Sequence, residues 1–285
     1  MEIKAIQVKE LRDMTGVAMM ECKKALVESN GDIEKAVDLL RSKSALKAEK
    51  KSSRVAADGV LVLSMGDGYA SMVELNSETD FASKDSNFLA FGEKVKNYIS
   101  ENKITEPLAF LDSEIEEERK SLVQTIGENI QLRRVETIDF NNDMQIGSYL
   151  HSDSKLGAIV SINGGNEQVA KDIAMHVAAF NPLCLSKDVI SIDILEREKA
   201  IFENQAKDSG KPKEIMEKMI EGKINRFLSE VSLLSQSFVK DSEITIEEYL
   251  ASNGASIVAF ARLKVGEGIE VKTKDFAEEV AEQLK

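Results

Sequence analysis

Two alternating stretches, GYASMVELN (68–76) and LGAIVSING (156–164), read as β-strands that run into Asn76 and Asn163. Each is preceded by another strand candidate, DGVLVLS or GSYLHS, and each is followed by a helical pattern. Phe88, Phe91, Val95 and Ile99 fall on one face of the first helix; Val169, Ile173, Val177 and Phe180 fall on one face of the second. Two hairpin-plus-helix units indicate an internal duplication and an α+β body of two related subdomains. ENIQLRRVETI (128–138) and SIVAFARLKV (256–265) read as further strands.

Ahead of the body, residues 1 to about 41 read as a three-helix module. Ala18, Cys22, Ala25 and Leu26 form one apolar stripe. Asn30-Gly31 supplies a helix stop, Asp32 can cap the next helix, and Ile33, Ala36, Val37 and Leu40 repeat the stripe. So short a module has a marginal core and needs a surface to dock on. The basic, Ala/Ser-rich tract RSKSALKAEKKSSRVAADG (41–59) reads as a linker, a solvated tether rather than an RNA-touching segment.

Residues 187–228 are charged and helical on both sides of Asp208-Ser209-Gly210-Lys211-Pro212. Ile215, Met219 and Phe227 share a face, with Met216, Ile220 and Ile224 beside them. The pattern predicts an antiparallel helical hairpin, coiled-coil in character, projecting from the body. In the C-terminal KDFAEEVAEQLK, Phe276, Val280 and Leu284 make a stripe suited to docking on this chain or another. The division that follows is 1–54 for the helical module and linker, 55–140 and 141–263 for the two core subdomains, and 264–285 for a C-terminal module. The hairpin 187–228 is inserted in the second subdomain.

Charge and composition narrow the function. A formal charge of −13 over 285 residues disfavours direct, sequence-specific nucleic-acid binding, which draws on phosphate neutralisation. No apolar run approaches a membrane span, and the amphipathic, acid-bearing N-terminus resembles no targeting peptide, so a cytoplasmic protein is expected. Cys22 and Cys184 lie far apart with no CxxC, and His151 and His176 are the only histidines. Nucleotide-loop, hydrolase and zinc-protease motifs are absent, and the VGEG of 265–268 is a turn. The acid run EIEEER (114–119) could offer carboxylates to a metal, but a solvated helix face is the better reading. An enzyme has no positive support here; a cofactor-free binding protein does.

Two features belong to the surface. At about 100° per residue, the stripe of the second helix leaves Met20 almost opposite the core and Met19 on its flank. Methionine suits an adaptable interface, although packing against this same chain is the competing reading. The second feature is ELNSETDFASKD (74–85). From Asn76 to helical Phe88 is twice the corresponding distance from Asn163 to Val169, and the extra residues hold Thr79, Asp80 and Phe81. An insertion beyond what chain closure needs is a candidate for function. The bland alternative has Phe81 stapling the start of the next helix.

LRDMTGVAMMECKKAL (11–26) and ELNSETDFASK (74–84) resemble the two signature segments of the bacterial elongation factor Ts family. The similarity continues through GENIQLRRV, GSYLHS, AMHVAA, SGKPKEI, EVSLLSQSFV and VGEGIE, in order along essentially the whole chain. The N-terminal module also resembles ubiquitin-associated (UBA) domains. The family resemblance implies a guanine-nucleotide exchange factor acting on the GDP-bound form of elongation factor Tu. It has no catalytic residue of its own, and any ribosome contact runs through the partner. It implies partner contacts at Arg12, Met19, Met20, Lys23 and His151, and a wedge at Thr79, Asp80, Phe81 and Ala82 that disturbs the partner's Mg²⁺ site. The family usually has Val where this chain has Ala82, which would shrink the apolar edge of the wedge. Two other classes remain in view: a UBA-like adaptor with no effect on nucleotide, and a metal-dependent enzyme using Asp80 and Glu78.

Overall fold

The computed structural model describes residues 3–207 and 212–270. The stripe Phe276/Val280/Leu284 and the hairpin turn 208–211 lie outside the described residues. Within them, no helix is long and apolar enough to cross a membrane.

The chain opens with three helices: α1 (Ala5–Thr15), α2 (Met19–Glu28) and α3 (Ile33–Lys51). Leu11, Cys22, Ala25, Leu26, Ala36 and Leu40 close their small core. Ala18 is not part of it, because it is the exposed residue that starts α2. Asp32 caps α3 as expected, accepting the Lys35 N–H at 3.1 Å.

The stretch read as a linker from residue 41 is helical as far as Lys51. Its Ala, Leu, Lys, Glu and Arg residues are strong helix formers. Leu40, Ser44 and Ala48, spaced by four, are all buried. The small side chains of Ser44 and Ala48 bring α3 close to α6 (Glu114–Ile126), and Ala48 joins the core of the first subdomain. Two basic side chains of the tract bridge to α2: Lys43 lies 2.8 Å from Glu28 and Lys47 3.2 Å from Glu21.

The duplication is visible in the sheets. Strands β1 (Asp58–Gly66), β2 (Tyr69–Ser77) and β3 (Gln131–Asp139) form an antiparallel sheet in that order. The second sheet begins with the hairpin β4 (Met144–Leu150) and β5 (Leu156–Gly164). After the minor pair β6 (Ser237–Phe238) and β7 (Asp241–Thr245), β8 (Ala255–Lys264) returns to pair with β5. In both sheets a hairpin is followed by helices, and the third strand returns beside the hairpin's second. The sheets meet through Leu61, Met72 and Ile138 on one side and Ile159, Ala261 and Leu263 on the other.

On its outer face the first sheet carries α5 (Ser86–Glu101) and α6. Phe88, Phe91, Val95 and Ile99 are all buried there, as their spacing predicts. The second sheet carries α7 (Glu167–Phe180) and α10 (Ile246–Ser252). Val169, Ile173 and Val177 are buried, but Phe180, at the last turn of α7, is half-exposed and stacks on His176. The helical hairpin is α8 (Ile192–Lys207) and α9 (Lys213–Val231), joined in part by the edge contact of Phe202 with Phe227.

The acid run on α6 is not simply a solvated face. Glu116 is buried and bonded twice to Arg119 at 2.7 Å. Glu117 pairs with Lys120 and Glu118 with Lys94, each at 2.7 Å. These carboxylates are separately neutralised rather than gathered for a cation.

Candidate functional site

The insertion after β2 folds as a four-residue helix, α4 (Asp80–Ser83). One isolated turn is unstable by itself, because nucleation fixes several residues for one hydrogen bond. Here the turn is held from both ends. Thr79 is the N-cap, its Oγ1 accepting the Ala82 N–H at 3.3 Å. Ser77 Oγ donates to the Thr79 carbonyl at 2.9 Å. Ala82 and Ser83 are buried, Ala82 at 4% exposure. Asp80 and Phe81 face outward, and Phe81 is 83% exposed, the highest value among the exposed large apolar side chains described.

That exposure rules out the staple reading of Phe81. The burial of Ala82 changes the expectation for that residue. Its methyl faces this chain's interior, so the two carbons missing relative to Val are lost from internal packing, not from an exposed edge. Asp80 receives Lys84 Nζ at 2.7 Å, one turn on. That bond and the ammonium charge hold its carboxyl below the usual carboxylate range. Glu78 accepts the Asn129 N–H at 2.7 Å and lies 3.5 Å from Arg54. Asp80 and Glu78 are thus committed to different partners and do not converge as an enzyme's acid pair would. Among the described residues no three His, Cys, Asp or Glu side chains are grouped to hold a metal ion.

The turn is also gripped from the connection between α6 and β3. Glu128 follows Gly127, the left-handed residue that ends α6 at φ +86°. Its carboxylate accepts the Thr79 N–H at 2.9 Å and the Thr79 hydroxyl at 2.7 Å. The sequence pattern reads ENIQ as the start of a strand and GENIQLRRV as a segment of the family resemblance, but no local pattern reveals a contact made 49 positions away.

Arg12, Met19, Met20 and Lys23 lie on the outer side of the helical module, all exposed. Met19 is 50% and Met20 63% exposed, so neither is buried against the described residues. Met20, Lys23, Lys24 and Val27, at i, i+3, i+4 and i+7, line one shallow cleft along α2.

His151 sits in the tight β4–β5 turn. Its Nδ1 is 2.9 Å from Asp153 Oδ1. The turn docks on β1, where the Leu61 N–H donates to the Ser154 carbonyl at 2.7 Å. Lys155 pairs with Asp58 at 2.8 Å, and Asp58 also accepts Ser83 Oγ of α4 at 3.4 Å. The fold therefore brings the His151 turn beside α4. The α1–α2 turn reaches the other flank. Asp13, Thr15 and Gly16 share a cleft with Asn87 and Thr125, and these last two also line the cleft beside Phe81. The α2 cleft has no lining residue in common with either.

These features define a class: a protein that presents a shaped surface to another macromolecule, with an exposed aromatic on a braced turn and, separately, a helix bearing exposed methionines. The family model for elongation factor Ts matches residues 78–267. The chain is 49% identical over 285 residues to elongation factor Ts of Hahella chejuensis, with 99% of each chain covered. It is 48% identical to that of Psychrobacter arcticus, over 98% of this chain and 96% of the relative. Against that of Francisella tularensis subsp. novicida it is 50% identical over 99% of each. The chain belongs to the elongation factor Ts family, the nucleotide exchange factors of elongation factor Tu in translation elongation.

Proposed function

We propose that this protein binds the GDP complex of elongation factor Tu in the cytoplasm and accelerates GDP release, with Phe81 as the intruding group. The observation that carries this reading is Phe81 itself: a fully presented aromatic whose neighbours Thr79, Ala82 and Ser83 are anchored. A single exposed apolar side chain is ordinary on a protein surface, but a ring held on a braced turn loses little entropy when it binds.

In a phosphate-binding GTPase fold, Mg²⁺ neutralises nucleotide charge, and the small ion demands near-ideal octahedral geometry. A ring that shifts the elements positioning that ion weakens GDP without touching it. Asp80, ionised and placed beside Phe81, reinforces the displacement electrostatically. Arg12, Met19, Met20 and Lys23 supply binding surface from the helical module, and His151 supplies it from the β4–β5 turn. Linkage then closes the cycle: whatever factor this protein takes from GDP affinity, GDP takes from the affinity of this protein. The chain needs no nucleotide site or metal of its own.

The test is stopped-flow release of fluorescent GDP from purified elongation factor Tu. Wild type accelerates release, and Phe81→Ala removes most of that acceleration at saturating protein. Undiminished acceleration by the variant would move the mechanism away from Phe81. No acceleration by wild type would end the exchange reading.

A further inference from the structure

We infer that Glu128 is a positioning residue for Phe81, and that the 127–129 segment couples the N-terminal helical module to the wedge turn. The inference rests on the exchange reading above and adds what orients the ring.

The two stretches 78–79 and 128–129 clamp each other reciprocally. Thr79 donates its backbone N–H and its hydroxyl to the Glu128 carboxylate, at 2.9 and 2.7 Å. Asn129 returns its own N–H to Glu78 at 2.7 Å. Each backbone thus donates to a carboxylate on the other stretch, and hydrogen bonds with an ionised acceptor are the stronger kind. Thr79 is the N-cap of α4, so Glu128 fixes the residue from which the short helix starts. Phe81 follows two residues on, and Glu128 lines the cleft beside it.

The same segment holds the helical module. Lys51 Nζ, at the end of α3, donates to the Gly127 carbonyl. The Asn129 side chain, fully buried, donates to the carbonyls of Ser52 at 3.3 Å and Arg54 at 2.7 Å. Arg54 then reaches Glu78. A displacement of α3 is therefore transmitted to the wedge turn through a continuous run of polar contacts. Both surfaces assigned to the partner, on the module and at α4, are referenced to one three-residue segment.

The test compares Glu128→Ala and the near-isosteric Glu128→Gln with wild type in the GDP-release assay, alone and combined with Phe81→Ala. Amide hydrogen exchange over 79–85 reads the clamp without any partner. Removing a charged acceptor that serves two donors should raise amide exchange there roughly tenfold. It should lower the maximal release rate by a similar factor, with half-saturation changed less than about threefold. Glu128→Gln, which keeps one acceptor oxygen, should fall between. In the Phe81→Ala background, Glu128→Ala should cost nothing more. Unchanged maximal release, a loss that adds to that of Phe81→Ala, or a shift in half-saturation alone would each overturn the role. If wild type itself fails to accelerate release, the exchange reading falls and this role falls with it. Active wild type with an indifferent Glu128→Ala sinks the role alone.

Discussion

Glu74 on β2 accepts the backbone N–H of Gly266 at 2.8 Å, from 192 positions further along the chain. It is fully buried, and its remaining acceptor sites take Arg133 at 3.1 Å, Asn76 at 3.0 Å and Arg134, its cross-strand neighbour on β3. Arg133 and Arg134 in turn donate to the carbonyls of Glu267 and Lys264. One carboxylate thereby fastens the end of β8, in the second sheet, to the first. Burial alone would raise the Glu74 pKa, but the Gly266 N–H, Asn76 and Arg134 outweigh it and hold the group below its usual range.

Removing that carboxylate leaves two arginines facing a buried void. Glu74→Ala should cost about 3–5 kcal/mol in urea unfolding, the range for breaking a buried charge pair. Glu74→Gln should cost less, because it keeps an acceptor for Gly266. The sign of the pH effect follows from the lowered pKa. The contribution is present above the reference value of 4.5 and is lost as pH falls through the folded value. Wild type should therefore lose stability below that point more steeply than Glu74→Gln. A Glu74→Ala protein within about 1 kcal/mol of wild type would remove this residue from the joint between the sheets.

Met19 and Met20 separate binding from folding. Both are exposed, so Met19→Ala and Met20→Ala should leave stability within about 0.5 kcal/mol of wild type. Affinity for elongation factor Tu, read by titration calorimetry, should fall by roughly tenfold for a central interface position. Leu108→Ala is the control. It is also exposed but belongs to neither the α2 face nor the Phe81 cleft. Equal losses for all three variants would mean that the helical module is not the binding surface.

His176 carries a second pH dependence, in a different window. It is fully buried, stacked on Phe180 with centroids 4.6 Å apart, and its Nδ1 accepts the Val239 N–H at 3.2 Å. The proton therefore sits on Nε2, 2.9 Å from Gln236 Oε1. Burial lowers its pKa, and the Gln236 bond offsets this only in part. Protonation would place a donor against the Val239 N–H. A histidine with a depressed pKa contributes stability above its reference value of 6.5 and loses it as pH falls through the folded value. Urea midpoints measured between about pH 7.5 and pH 5 should drop for wild type and drop less for His176→Gln. Parallel slopes would assign the acid sensitivity to other groups.

The parts of the fold that were legible are those that local periodicity encodes. The strands β2 and β5 and the aromatic stripe of α5 need no tertiary information, although both strands are buried on both faces and so show no solvated side. The rest of α3 was hidden because Ser44 and Ala48 bury an interface without any large apolar residue, so hydrophobic period gave no signal. The β6–β7 pair and α10 were not read, since their strands are short and polar; the one available cue was the Thr245/Glu248 capping box that starts α10. At the candidate site, the length of the 77–85 insertion by itself points to Phe81. The inward turn of Ala82 and the grip of Glu128 were not accessible, because both depend on what the completed fold places beneath and beside α4.

Helix α7 lies very close to its sheet at Gly147. Gly147 stands in the middle of β4, paired with Val160. A Cβ added there would fall 2.0 Å from the carbonyl oxygen of Ala170 and 2.5 Å from the backbone nitrogen of Lys171. Backbone cannot swing aside as a side chain does, so α7 would have to lift off the strand. That lift would loosen Val169, Ile173 and Val177 together, each buried in the second core. Gly147→Ala should therefore cost roughly 3 kcal/mol or more, well above the usual effect of adding one methyl. Gly222, on α9, is the comparison, since a Cβ there meets nothing within 4 Å. Gly222→Ala should be neutral or should stabilise by up to about 1 kcal/mol through helix propensity. Thermal unfolding of the two variants side by side decides it: a Gly147→Ala protein as stable as Gly222→Ala would mean that α7 does not rest on β4 this closely.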